Sequence, residues 1–371
     1  MTDTDVETVK KELTKKKEYE PPIKKEDFLS SGSTLLNLAV SGNPYGAFVK
    51  GKYFWFVGDS DSGKTFLTMT ALAEATINKN FEDYDLIFDN AEDGALMNVE
   101  KFFGHRLVKR LQSPRIIDGL PVYSRKIEQL YYHLDDRLES IEKGKGKPFI
   151  YLMDSIDSLS SESEEVKFGE MKKADRKGKE ISGIMTDGKA KINSMFMRGI
   201  VSRLSQSKSI LIVISQTRDN MGGGKFDPKS VSAGGRALKF YAACQIWSSP
   251  AGKLVKTVNT KPRQIGINAK IAVKKNRITG KEWSVELPIY WSSGLDNLGS
   301  MVDFLVEEKH WSGTKDGKTI EAEDLDFEGS RDKLIAYIEE NNLEMAVTEL
   351  VVEVWKEIEE ACSVQRKSRY S

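Results

Sequence analysis

The octapeptide Gly58-Asp59-Ser60-Asp61-Ser62-Gly63-Lys64-Thr65 limits what this chain can fold into more than any other stretch. It fits the phosphate-loop spacing G-x-x-x-x-G-K-[ST], which needs a strand before it and a helix after it. The apolar run 53–57 reads as a buried strand, and residues 66–75 read as a helix. Glycines let backbone N–H groups curl around phosphate oxygens, and the helix N-terminus adds positive potential. In that frame the Lys64 ammonium reaches the β- and γ-phosphates of a nucleotide, and the Thr65 hydroxyl binds Mg²⁺. A glycine-rich turn capping a helix is the plainer alternative, and both flanks argue against it.

A chain of 371 residues can hold one large α/β core with small appendages. The formal net charge is zero, so no global basic field points to nucleic acid and any such surface is local. Two cysteines, Cys244 and Cys362, are too few for a disulfide framework and fit a reducing compartment. No apolar run reaches the ~18 residues that a membrane-spanning helix needs, and the charged N-terminus lacks a signal-peptide core. The expectation is a soluble cytoplasmic protein without a membrane partner.

Apolar runs recur at 53–57, 86–89, 149–153, 210–214, 242–247 and 269–274. Helical patterns, such as 127–141 and 192–204, separate the first four. Alternating strands and helices predict an α/β fold with a mostly parallel central sheet. Residues 1–27 read as a charged N-terminal arm, with 5–19 either a helix or a solvated tail. Residues 28–300 read as the core. Residues 301–371 read as a small helical C-terminal module, with amphipathic helices at 330–340 and 346–361. Two segments, 160–188 and 218–235, lack a pattern and are expected to be loops; long loops inside a compact domain are usually functional or mobile.

Three further constellations fall at strand ends, where ligands bind in open α/β sheets. The run 149–153 ends in Asp154, placed as a carboxylate is presented to a nucleotide-bound metal. The run 86–89 leads to Asp89 and Glu92, either of which is suited to orient a water for attack on phosphorus. A helix-cap cluster is the structural alternative there. The run 210–214 ends in Ser215-Gln216, whose amide is suited to touch a γ-phosphate beside a segment able to change with nucleotide state. Beyond it lie Arg218, Lys225, Phe226, Lys229 and Arg236 among glycines, while Lys191 and Arg198 follow the 160–188 segment. Cations track phosphates and aromatics stack on bases. A solvated surface explains the same charges.

These residues, taken in order, resemble bacterial RecA and its phage-encoded relatives of the UvsX type. The resemblance runs through Leu29-Ser30-Ser31-Gly32-Ser33, the phosphate loop, Ala91-Glu92-Asp93-Gly94-Ala95-Leu96, Asp154-Ser155, Arg198 to Gln216, Gly234-Gly235-Arg236-Ala237-Leu238-Lys239-Phe240-Tyr241-Ala242, and Lys275-Asn276-Arg277. It covers roughly residues 28–311. It implies a RecA-type ATPase core that uses ATP and Mg²⁺. It also implies self-association into helical filaments on single-stranded DNA, homologous pairing with double-stranded DNA, and strand exchange in recombination and repair. Mediator or single-strand-binding proteins are further implied partners.

Carried over by position, Lys64 and Thr65 hold phosphates and Mg²⁺, and Asp154 supports the metal. Glu92 orients the water, Gln216 senses the γ-phosphate, and Lys275 and Arg277 reach a neighbour's nucleotide. Lys191 and Arg198 belong to the first DNA loop; Arg218, Lys225, Phe226, Lys229 and Arg236 belong to the second. The chain departs from the family in five places. The second loop is slightly longer, which leaves the register of Phe226 open, and residues 1–27 do not read as the family's oligomerisation helix. The 94–104 stretch lacks the family's adenine-stacking tyrosine, so either Phe102 or Phe103 substitutes or base selectivity is loose. Glu162, Glu164 and Glu165 make the first loop acidic. The region beyond 311 matches poorly. A ring-forming helicase or packaging motor on the same core, or an ATP-gated DNA-coating protein with little turnover, are the competing readings.

Overall fold

The computed structural model describes residues 23–94, 97–178, 188–219, 230–232, 235–313, 319–364 and 366, with backbone alone at 218, 219 and 230–232. The N-terminal arm therefore lies almost wholly outside the described residues. The elements that frame the site are β1 (Tyr53–Gly58), α1 (Lys64–Ile77), β2 (Asp85–Asn90), α2 (Ile127–Glu142), β3 (Phe149–Asp154), α3 (Gly188–Ser207), β4 (Ile210–Asp219), α4 (Gly235–Tyr241), β5 (Cys244–Val258), β6 (Lys261–Asn276) and β7 (Ser284–Tyr290). The helices α5 (Asn297–Glu307), α6 (Arg331–Glu340) and α7 (Glu344–Ala361) close the chain.

The central sheet runs β7-β6-β5-β1-β4-β3-β2, with short edge strands at Gly294–Leu295 and Leu111–Gln112. Neighbours from β5 to β2 are parallel; β5, β6 and β7 are antiparallel. The expected α/β fold with a mostly parallel central sheet is what the structure contains. Side-chain alternation explains why both faces are covered. Phe54, Phe56, Ile150, Leu152, Ile210, Ile212 and Ile214 enter one apolar core. Their neighbours Tyr53, Trp55, Val57, Phe149, Tyr151, Met153, Leu211 and Val213 enter the other.

Three segments differ from the sequence reading. The patternless 160–188 stretch contains a helix, Glu162–Asp175, none of whose residues is buried. It escapes detection because it has no apolar stripe. Ser161 and Glu164 cap it reciprocally, with Ser161 Oγ accepting from Glu164 N at 3.2 Å and Glu164 Oε2 from Ser161 N at 3.0 Å. The loop expected over 218–235 begins and ends in antiparallel pairing, Ser230–Ser232 against 217–219. The strands expected at 242–247 and 269–274 are the inner halves of a much longer hairpin, β5–β6, whose outer halves are exposed and polar and so carry little alternation.

The C-terminal helices are packed onto the core. Helix α5 crosses residue 300, and Leu334, Ile338, Val347, Val351 and Trp355 belong to the same apolar cluster as Phe54 and Ile212. Arg331 locks α6 to α5 through Asp303 Oδ1 at 2.6 Å and Oδ2 at 2.9 Å. Because the core is shared, Ile338→Ala is expected to cost about 2–5 kcal/mol of global stability. Urea unfolding followed by circular dichroism should shift as one transition; a separate early transition confined to the C-terminal helices would contradict a shared core.

Candidate nucleotide site

Parallel register brings the carboxyl ends of four strands together. Gly58 pairs with Gln216, and Asn90 pairs with Asp154. The phosphate loop follows β1, and its two glycines have separate physical causes. A Cβ on Gly58 would sit 2.1 Å from the Ser248 carbonyl oxygen. Gly63 has φ +84°, and a Cβ there would meet Ile289 Cδ1 at 2.7 Å. From Gly63 the chain turns into α1, so the first free N–H groups of that helix face the loop.

Inside the loop Lys64 Nζ donates to the Asp59 carbonyl at 2.5 Å and lies 3.4 Å from Ser62 Oγ. Burial lowers the Lys64 pKa, opposed by the carboxylates of Asp154, Glu92, Asp59 and Asp157. Thr65 Oγ1 donates to Asp154 Oδ2 at 2.6 Å. Burial raises the Asp154 pKa, and the Thr65 hydroxyl opposes the rise. A hydroxyl and a carboxylate side by side at a phosphate loop suit a Mg²⁺ carried by a nucleotide.

Glu92 lies just past β2, with its backbone N–H donating to the Asp154 carbonyl at 3.1 Å. Gln216 Nε2 donates to Glu92 Oε1 at 2.8 Å, and Gln216 N donates to Asp157 Oδ2 at 2.7 Å. Thr217, one residue on, donates through Oγ1 to Asp59 Oδ1 in the phosphate loop. The rival Asp89 is fully buried and fully engaged. It accepts from Ser124 N at 2.9 Å, Ser124 Oγ at 2.6 Å and Tyr151 OH at 2.7 Å. Those bonds tie the segment before α2 to the sheet and leave Asp89 no access to water.

A cavity of about 960 Å³ opens beside the loop. Its walls include Phe66, Met97, Ile267, Ile289 and Trp291, with Lys253 and Gln264 from the long hairpin. Phe102 and Phe103 do not line it. They pack on Phe66 with ring centroids 5.5 Å and 4.9 Å away, so they are core residues and do not stand in for a base-stacking tyrosine. Trp291, 56 % exposed, is a second aromatic at the cavity wall beside Phe66, and no motif in the sequence marks it. Its ring lies at the turn after β7, far in sequence from the phosphate loop.

A family model described as the RecA N-terminal domain matches residues 150–296. The chain is 27 % identical over 338 residues to Protein RecA of Mycoplasmopsis pulmonis, covering 90 % of this chain and 85 % of that one. It is 26 % identical over 293 residues to Protein RecA of Thermus thermophilus, covering 77 % and 74 %. Protein RecA of Trichodesmium erythraeum is 25 % identical over 325 residues, covering 85 % and 77 %. Over most of its length the chain is similar to RecA proteins.

Against the RecA pattern the remaining candidates separate into groups. Lys191 and Arg198 are exposed and seven residues apart on α3, hence on one helix face. Arg236 is exposed on α4. Arg218 lies in β4 opposite Val231. Lys225, Phe226 and Lys229 lie outside the described residues. The acidic Glu162, Glu164 and Glu165 occupy the first turn of a helix, where negative charge is favoured. Glu164 pairs with Lys189 at 3.4 Å and Glu165 with Lys126 at 2.6 Å.

Lys275 and Arg277 sit far from the phosphate loop of their own chain. Lys275 is opposite Gln245, which pairs with Trp55 near the start of β1, whereas the loop follows the end of β1. Lys275 Nζ donates to the carbonyls of Lys239, Phe240 and Ala242 at 2.5, 2.8 and 2.9 Å, closing the C-terminus of α4. Arg277 lies over the exposed Phe240 ring at 5.5 Å.

The sequence also carries a local charge signal: residues 228–281 contain twelve lysines and arginines and no carboxylate. Four of these, Lys253, Lys256, Lys261 and Arg263, stud the exposed outer half of the β5–β6 hairpin.

Two predictions follow the geometry. Trp291→Ala is expected to weaken binding of a fluorescent ATP analogue about fivefold to tenfold. Phe102→Ala should leave that affinity unchanged; the reverse ranking would return the base to the Phe102–Phe103 cluster. Burial, reinforced by Arg277, lowers the Lys275 pKa from 10.5 to about 8. Between those values the unfolded chain holds the proton more tightly, so the native state should gain stability, relative to Lys275→Met, as pH rises through that window. Thermal unfolding of the pair at several pH values, with side-chain NMR of labelled lysine, measures both the direction and the midpoint.

Proposed function

We propose that this chain is an ATP-dependent recombinase of recombination and repair. In this reading it hydrolyses ATP in response to DNA, polymerises on single-stranded DNA and pairs it with a homologous duplex. The observation that carries the reading is the Gln216–Glu92 contact at 2.8 Å. Glu92 has the position of a water-orienting carboxylate, and Gln216 lies in the strand that runs on into the second DNA segment. A change at the γ-phosphate therefore has a direct covalent route to the DNA-facing side chains.

In the reaction, Glu92 accepts a proton from water as the water oxygen attacks the γ-phosphorus, and ADP leaves. The Lys64 ammonium exchanges the Asp59 carbonyl for phosphate oxygens. Thr65 and Asp154 would hold Mg²⁺, which neutralises charge on the phosphates. Trp291 and the apolar wall of Phe66, Ile267 and Ile289 would take the base.

Two features support a self-assembled form. Lys275 and Arg277 lie at the far end of the sheet from their own phosphate loop, so they serve a nucleotide only across an interface. ATP would then link hydrolysis to assembly, because each site is completed by a neighbour. Lys191, Arg198 and Arg236, with the acid-free hairpin, supply cations for DNA phosphates in a chain of zero net charge.

Glu92→Gln is expected to bind ATP normally and to lose about 10²- to 10⁴-fold in hydrolysis. Turnover at the normal rate would remove Glu92 from its role. ATP hydrolysis measured with and without single-stranded DNA, on samples also imaged by negative stain, tests the whole reading. DNA-stimulated turnover with open helical filaments is the expected result. Closed rings, or turnover indifferent to DNA, would favour a motor or a switch.

A further inference from the structure

A second cleft, about 500 Å³, lies where β7, α5 and α7 meet and shares no lining residue with the nucleotide cavity. Three hydrogen-bonding atoms of its lining residues have no partner: Trp355 Nε1, Trp283 Nε1 and Asn268 Oδ1. Trp355 is only 4 % exposed, so water does not readily serve its N–H. The two indoles lie 4.9 Å apart, and Phe304 is 5.9 Å from Trp355, forming an aromatic wall.

Charge in this cleft is one-sided. Glu286, Asp303, Glu307 and Glu308 line it, against a single cation, Arg331. That guanidinium is already committed to Asp303 and reaches Asp296 at 3.4 Å. Burial, then the carboxylates of Asp303, Glu286 and Glu308, raises the Glu307 pKa, as expected of an acid with no cation of its own.

The unmet demands narrow the ligand. Phosphates and carboxylates are repelled by four acidic side chains. A polyamine offers no acceptor to the indole N–H groups. Among the described residues no cluster of acidic, histidine or cysteine side chains is arranged to hold a metal ion. A peptide segment supplies a long cationic side chain and, once the cleft side chains shift to uncover their buried polar atoms, carbonyls for Trp283 and Trp355 and an N–H for Asn268. The aliphatic stem of that cationic side chain packs on the aromatic wall, and its charged end sits over an indole face or meets the rim carboxylates.

We propose that the Trp283–Trp355 cleft is a docking site for a lysine- or arginine-bearing peptide segment of a partner protein. It shares no lining residue with the nucleotide cavity and does not depend on that assignment.

The test uses the full chain and fluorescence anisotropy with a short labelled peptide of alternating lysine and alanine. An otherwise identical glutamate–alanine peptide is the control. Saturable binding of the basic peptide alone is expected. Trp355→Phe keeps the ring and removes one donor, and Glu307→Gln removes one charge. Each should weaken binding about fivefold to tenfold. Glu353→Gln, on α7 away from the cleft, should leave binding unchanged. Should Trp355→Phe fail to fold, Trp283→Phe and Glu308→Gln carry the same comparison. The proposal is overturned if the cleft variants bind as tightly as the parent, if Glu353→Gln weakens binding equally, or if free arginine competes as well as the peptide.

Discussion

Parallel pairing of β2, β3, β4 and β1, buried on both faces, is the constraint on which this structure depends. Each strand is apolar through its middle, and polar residues follow toward its carboxyl end. Because the strands run one way and stay in register, those polar ends meet at one edge. Gly58, Asp154 and Gln216 are neighbours for this reason, although they are spread over more than 150 residues of chain. The Thr65–Asp154 bond then ties the phosphate loop to a strand two places away, with β4 between them.

The fate of the two acids after β2 shows how finely this edge is divided. Asp89 is still within the strand, and its carboxylate is consumed by Ser124 and Tyr151. Glu92, three residues later, is past the end of the strand, exposed and bonded to Gln216. Residue type does not separate them; position relative to the sheet edge does. The same holds for aromatics. Phe102 and Phe103 are close to the site in sequence and lie in a core cluster on Phe66, whereas the distant Trp291 reaches the cavity.

A net charge of zero conceals strong segregation. The acid-free stretch 228–281 includes α4 and the β5–β6 hairpin, while β7 and α5, with Glu308 at the end of α5, carry the carboxylates of the second cleft. Opposite charges thus gather on different parts of one chain, and their fields are screened within about 8 Å at physiological salt.

Much of this was legible from sequence because local physics suffices for it. The phosphate loop, the apolar strands and the carboxylates at their ends follow from spacing and hydrophobicity. The helix Glu162–Asp175 was illegible because it buries nothing, and the outer half of the β5–β6 hairpin because its exposed strands carry no alternation. Tertiary structure alone decided which of Asp89 and Glu92 is exposed, that Trp291 borders the cavity beside the phosphate loop, and that Lys275 is bonded to the C-terminus of α4. Each of these depends on register between strands remote in sequence, and register is fixed by the packing of the whole sheet.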